Sequence, residues 1–219
     1  MKMSFRNVRL QYVNQHDLFP VHLGIATKVI AKTGKRQGVC LELASGPGYL
    51  GFALAQLTKM DVYLLENSPN LLRLASKNIE SLQVMDRVKT IKGRLAAIPF
   101  GDGTIDLIIS QRSVFFWNDR RRIFQEIHRV LAPGGIAYVG SGIWSGDIKD
   151  RVEQKLADCH PKLRLQLNSQ IWMSKAEQLE TELRQSGIPS FEVHFDDESI
   201  WILIRKNQAG GFPPESPAG

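Results

Sequence analysis

The 219-residue sequence predicts an α/β protein built on a doubly wound, seven-stranded and mostly parallel sheet. Three observations carry that prediction. Short apolar runs alternate with helical patterns from residue 38 to residue 140, as parallel βαβ units require. A glycine-rich turn, "LELASGPGYLGF" at 41–52, joins the first run to the helix after it. Two later runs, "FEVHF" at 191–195 and "SIWILI" at 199–204, are joined by the tight polar turn "DDES", which demands an antiparallel C-terminal hairpin.

Each element has its own justification. Val21, Ile25, Ala26, Val29 and Ile30 recur at helical spacing until Gly34, so a helix precedes the sheet. "GVCLELA" at 38–44 reads as a buried parallel strand, and "YLGFALAQL" continues as a helix. "DVYLLE" at 61–66 is the second strand, after which Ser68 as N-cap and Pro69 at the first helical position open "PNLLRLASKNIESL". "RVKTIKG" supplies the third strand and "TIDLIIS" at 104–110 the fourth. From about Asp119 a helix places Ile123, Phe124, Ile127, Val130 and Leu131 on one face and arginines opposite. "APGG" is expected to stop it, and "IAYVG" is the fifth strand. Between 141 and 173 the pattern loosens into one helix and irregular structure. Ser174 and Glu177 then form a capping box opening a helix that buries Leu179 and Leu183 and ends at Gly187 and Pro189.

Three regions follow: a basic N-terminal segment over 1–36 that acts as a lid, a main domain over 37–206, and a Pro- and Gly-rich tail over 207–219 expected to be disordered. The formal charge is +6, and residues 1–36 hold Lys2, Arg6, Arg9, Lys28, Lys32, Lys35 and Arg36 against Asp17 alone. Such a segment attracts an anionic partner or is simply a solvated face. No apolar run resembles a signal peptide or reaches the roughly 18 residues that cross a bilayer, which places the chain in the cytoplasm. Cys40 and Cys159 lack the spacing of a disulfide framework or a zinc site, and no metal is expected.

The functional signal begins at Gly46, Gly48 and Gly51, a G-x-G-x-x-G spacing. Glycine permits positive φ and lets helix N-terminal amides approach a ligand closely, whatever that ligand is. On this reading a side chain at Gly48 blocks binding and leaves the fold intact. Glu42 narrows the choice of ligand. A carboxylate ending the first strand opposes a pyrophosphate and suits a ligand carrying a cationic amino group and a sulfonium.

Glu42-x-x-x-Gly46-x-Gly48, Glu66 ending the second strand, "IPFGDGTIDLIIS" and "LAPGGIAYVG" together resemble the class I S-adenosylmethionine-dependent methyltransferases, over about residues 38 to 140. The similarity is greatest to the small-molecule branch that includes the ubiquinone and menaquinone methyltransferases. It implies a Rossmann-like methyltransferase fold and S-adenosylmethionine as cofactor. It also implies that Glu42 and the backbone of Ala44, Ser45, Gly46 and Gly48 hold the methionine part. Glu66, with Asn67 beside it, holds the ribose, and Ser110 at the end of the fourth strand completes the cofactor contacts. After the third strand such enzymes usually carry Gly-Asp-Ala, whereas here Gly93 is followed by Arg94 and Leu95. Arginine cannot accept a hydrogen bond from the adenine amino group. Either Arg94 lies flat on the ring or it points to solvent and the Leu95 amide alone reads the base.

Arg112, Phe115, Phe116, Trp117 and Trp144 are candidates for the acceptor pocket, suited to a planar, aromatic or anionic small molecule, although aromatics near strand ends are as often packing. No Asn-Pro-Pro-Tyr motif follows the fourth strand, which argues against methylation of nucleobases, and nucleic acid is not an expected partner. If the acceptor carries a proton, Tyr12, His16 and His22 are the candidate bases on position. Two other readings remain open at this stage: a catalytically silent S-adenosylmethionine-binding regulator, and a nicotinamide-dependent oxidoreductase suggested by the glycines alone.

Overall fold

The computed structural model describes residues 15–81, 86–111, 113–142, 169–196 and 199–208. Among these, seven strands form one sheet in the order β3-β2-β1-β4-β5-β7-β6. They are β1 (Gln37–Leu43), β2 (Lys59–Glu66), β3 (Val88–Lys92), β4 (Ile105–Gln111), β5 (Leu131–Gly142), β6 (Phe191–Asp196) and β7 (Ser199–Arg205). The first five pair in parallel, and β7 runs antiparallel to both β5 and β6. Strand order reverses between β1 and β4, and in open sheets of this kind ligands bind outside the carboxyl ends of the strands at that reversal.

Successive strand residues point to opposite faces, and here both faces are covered. Cys40, Val62, Leu64, Leu107 and Ile109 pack beneath Ala26, Val29 and Ile30 of α1 (Gln15–Thr33) and Leu50, Phe52 and Leu54 of α2 (Tyr49–Leu57). Ala75 and Ile79 of α3 (Pro69–Ser81) join them. Their neighbours Leu41, Leu43, Leu65 and Ile108 face Ile123, Phe124 and Ile127 of α4 (Arg120–Val130) and Leu179 and Leu183 of α5 (Ser169–Gln185). This two-sided burial is why the strands read as continuous apolar runs. The C-terminal hairpin has the expected register, with Asp196 opposite Ser199.

Three boundaries differ from the sequence reading. Leu131 belongs to β5, and "APGG" is an irregularity inside that strand, because the register passes from Ile105↔Leu131 directly to Leu107↔Ile136. The bulge accommodates Pro133, which has no amide to offer a regular ladder. Ser174 lies inside α5, which starts at Ser169. "SQIWM" contains no helix breaker, so once nucleated the helix propagates upstream of the capping box. At the other end of the chain, Ala26, Val29 and Ile30 are at most 6% exposed, so the last part of α1 belongs to the core. The proposed tail, apart from residues 207 and 208, and the irregular stretch over 143–168 lie outside the described residues.

Candidate functional site

The glycine loop leaves β1 through left-handed backbone: φ is 51° at Ala44, 54° at Gly46 and 86° at Gly48. Ala44 has a Cβ, so its conformation carries strain that the surrounding loop must hold. The loop is closed by Gly48 N donating to Ser45 O at 2.9 Å and anchored by Ser45 N donating to Leu65 O at 3.2 Å. The three glycines have different tasks. A Cβ on Gly46 would meet nothing within 4 Å, which makes that side of the loop open. On Gly48 it would stand 2.6 Å from Leu64 Cδ1 and 2.8 Å from Phe52 Cζ, and on Gly51 2.5 Å from Leu64 Cδ2 and 2.7 Å from Glu42 Oε2. Gly48 and Gly51 therefore serve the seating of α2 against β2, and the expectation that Gly48 can be altered without touching the fold is corrected.

Glu42 is 5% exposed, and its Oε2 accepts from Gly51 N at 2.9 Å. That amide is one of the unpaired donors of the first turn of α2, so the strand supplies the helix with a cap. Burial pushes the Glu42 carboxyl up to about 8; the Gly51 amide opposes this and the charge of Glu66 reinforces it. Without a ligand the group is therefore mostly protonated at neutral pH. Folded Glu42 holds its proton more tightly than the unfolded chain, whose value is near the ordinary 4.5, so the folded state binds more protons between those limits. Stability accordingly falls as pH rises from about 4.5 to about 8. Glu42→Gln keeps an acceptor for Gly51 and does not titrate. Its melting temperature should fall less than the parent's between pH 5.5 and 8.5, by about 5 °C, corresponding to on the order of 2 kcal/mol. Parallel pH profiles for the two proteins would remove Glu42 from this role.

Glu66 is carried to the same edge by β2. Its Oε1 accepts from Asn67 N at 2.8 Å and Ser68 N at 2.9 Å, and its Oε2 accepts from Gly46 N at 3.2 Å. One carboxylate thus ties the end of β2 to the glycine loop. It borders a cleft of about 310 Å³, whose walls also include Ala44, Asn67, Arg94 and Leu95. The segment after β4 contributes Phe116, Trp117, Asn118 and Asp119 to the same cleft. Arg94 is exposed, and its guanidinium makes no hydrogen bond among the described residues. Phe116 is 58% exposed at the cleft, while Phe115 packs against the core.

Trp117 is held by a directed chain of hydrogen bonds. Its Nε1 donates to Ser113 Oγ at 3.0 Å, Ser113 donates to Ser110, and Ser110 Oγ donates to Leu43 O at 2.9 Å. Ser110 is fully buried with its hydroxyl committed inside the protein, so its side chain helps to position the wall of the cleft.

Sequence reasoning missed a second layer. Glu126, 5% exposed, accepts from Ile98 N at 2.8 Å, and Arg129 donates to Ile98 O at 3.0 Å and Phe100 O at 2.9 Å. Arg129 also pairs with Asp102 at 2.7 Å and Glu126 at 2.8 Å. The Arg129 guanidinium is the main reason the Glu126 carboxyl lies below the usual range. Together they bind the segment after β3 to α4. The available signal was a carboxylate on the apolar face of an amphipathic helix, where an unpaired charge is too costly to persist. Two further polar atoms, Ser45 Oγ and Gln111 Nε2, are buried with no partner among the described residues.

Of the candidate bases, His22 lies against Tyr49, the residue after Gly48, with ring centroids 5.5 Å apart and planes inclined by 53°. His16 lies on α1, where only its backbone is described, and Tyr12, Arg112 and Trp144 fall outside the described residues. Among the described residues no helix is long and apolar enough to cross a membrane.

Comparison with known proteins gives this geometry its context. Residues 41–139 match the family described as "Methyltransferase domain". The ubiquinone/menaquinone biosynthesis C-methyltransferase of Blochmanniella floridana is 29% identical over 136 residues, covering 60% of this chain and 54% of that protein. The chain spans about half the length of the curated relatives it matches. Haemonchus contortus phosphoethanolamine N-methyltransferase 2, solved in complex with S-adenosyl-L-methionine, shares the fold at a TM-score of 0.62 and 17% identity, over 91% of this chain and 59% of that one. A Methanococcus maripaludis structure, provisionally assigned as an S-adenosyl-L-methionine-dependent methyltransferase, superposes with a TM-score of 0.82 at 32% identity, over 90% of each chain. The chain belongs to the S-adenosylmethionine-dependent methyltransferases.

Proposed function

We propose that this chain transfers the methyl group of S-adenosylmethionine to a small-molecule acceptor of aromatic or anionic character. One conjunction carries the reading: at the switch point, a carboxylate bordering a 310 Å³ cleft adjoins a glycine loop whose buried Ser45 hydroxyl has no partner among the described residues. A buried hydroxyl left unpaired costs about 1 to 3 kcal/mol, and a polar amino-acid group at the loop relieves that cost. The residues therefore fit the cofactor. Glu42 and the backbone from Ala44 to Gly48 hold its methionine part, Glu66 and Asn67 its ribose, and Leu95 and Arg94 its base. The Arg94 guanidinium, exposed and without a hydrogen bond among the described residues, is available to lie along the ring.

The cofactor supplies a methyl group already activated by a sulfonium sulfur. The chain's contribution is alignment, which is worth most when the reacting groups are held close and in line. His22, next to the loop through Tyr49, is a candidate base where the acceptor carries a proton, with Tyr12 and His16 as the other candidates. Phe116 and Trp117, which border the same cleft as Arg94 and Leu95, offer ring surface to the base or to a planar acceptor beside it, with Arg112 and Trp144 as further candidates. The quinones in the name of the relative above are planar rings of that kind.

Calorimetry with S-adenosylhomocysteine and the nicotinamide dinucleotides tests the cofactor half; binding of a dinucleotide in place of S-adenosylhomocysteine would end the reading. Turnover is followed as S-adenosylhomocysteine release across a panel of hydroxylated quinones and phenols. Tight binding without turnover across a broad acceptor panel would favour a silent regulator. The N-terminal segment gives a second test. Removing residues 1–18 spares Phe19, which packs against the core. S-adenosylhomocysteine affinity should stay within a fewfold and turnover should be lost. Full activity in the shortened protein would show that the segment has no part in acceptor handling.

A further inference from the structure

The cleft beside Glu66 is chemically asymmetric. From the segment after β3 comes Arg94, whose guanidinium can only donate hydrogen bonds. From the segment after β4 come Asn118 and Asp119, which can accept. Asp119 is only half engaged. Its Oδ1 accepts from Arg122 N at 3.1 Å as the N-cap of α4, and its other oxygen has no partner among the described residues. Both sides of the cleft are held as one body. Glu126 and Arg129 bind Ile98 and Phe100 to α4, and Arg122 Nε reaches Ala96 O at 3.4 Å.

A base entering beside the ribose site presents an exocyclic amino group that donates two hydrogens. Arg94 cannot receive them. We propose that the amino group of the cofactor's adenine is read from the α4 side, by the unengaged carboxylate oxygen of Asp119, while the other oxygen caps the helix. This rests on the cofactor reading above and adds to it the residue that distinguishes adenine from other bases.

Asp119→Asn tests the assignment, because asparagine caps a helix about as well as aspartate. With its carbonyl oxygen kept on Arg122 N, its amide turns a donor toward the cleft. The probes are S-adenosylhomocysteine and S-inosylhomocysteine, whose base carries a carbonyl oxygen in place of the amino group. Calorimetry should show the parent preferring the adenine compound by about tenfold or more. Asp119→Asn should lose about tenfold on that compound, gain affinity for the inosine compound, and so abolish or reverse the preference, with little change in melting temperature. Equal binding of both compounds by the parent, or an unchanged preference in Asp119→Asn, overturns the proposal. A parent that binds neither overturns the cofactor reading with it, so the two failures are distinct.

Discussion

Glu66→Ala is expected to weaken S-adenosylhomocysteine binding by about 2 to 4 kcal/mol, a loss of roughly 30- to 900-fold by calorimetry. Two effects combine. On the proposed assignment the ribose hydroxyls lose a charged acceptor, and Gly46 N, which Glu66 Oε2 holds at 3.2 Å, loses the bond that ties the glycine loop to the end of β2. The amides of Asn67 and Ser68 lose their acceptor as well. The glycine loop is thus loosened by the same change that removes the proposed ribose acceptor. A loss below about threefold would remove Glu66 from the ribose role.

Gly48→Val should act on the fold first, destabilising the protein by about 3 to 5 kcal/mol. The left-handed backbone at φ 86° is poorly open to a β-branched residue, and the added carbon would stand 2.6 Å from Leu64 Cδ1 and 2.8 Å from Phe52 Cζ. Gly46→Ala is the informative contrast: its backbone is also left-handed, at φ 54°, but its Cβ meets nothing within 4 Å, so a cost of about 1 kcal/mol is expected. Urea midpoints measured side by side test this, and equal stability in the two variants would refute the separation of tasks between the glycines.

The architecture was legible because both sheet faces are covered. Runs such as "GVCLEL" and "TIDLIIS" can only be buried parallel strands when they alternate with helices, and the glycine spacing placed the loop between β1 and α2. Glu42 and Glu66 were legible as acids ending apolar strands. What escaped depends on direction and protonation, which spacing does not encode. Ser110 faces Leu43 O inside the protein, Glu42 is held near neutrality by burial, and Gly48 is walled by Leu64 from a neighbouring strand. The Glu126 and Arg129 clasp was hidden for a similar reason. Its partners are backbone groups of a loop some thirty residues earlier, and a backbone carbonyl leaves no mark in a sequence. "APGG" misled because proline and glycine signal a break in both helices and strands, and here the strand absorbed them as a bulge.

The seating of α1 limits how far any cover at the mouth of the site can travel. Lifting the whole helix would return Ala26, Val29 and Ile30 to water. At roughly 1 to 2 kcal/mol for each side chain that costs about 5 kcal/mol, a state reached by about one molecule in 5,000. Phe19 and Leu23 pack against the same core and the His22 ring lies against Tyr49, so the seating reaches back to Phe19. From Phe19 onward α1 is therefore a fixed wall that moves only together with α2 and the sheet beneath it.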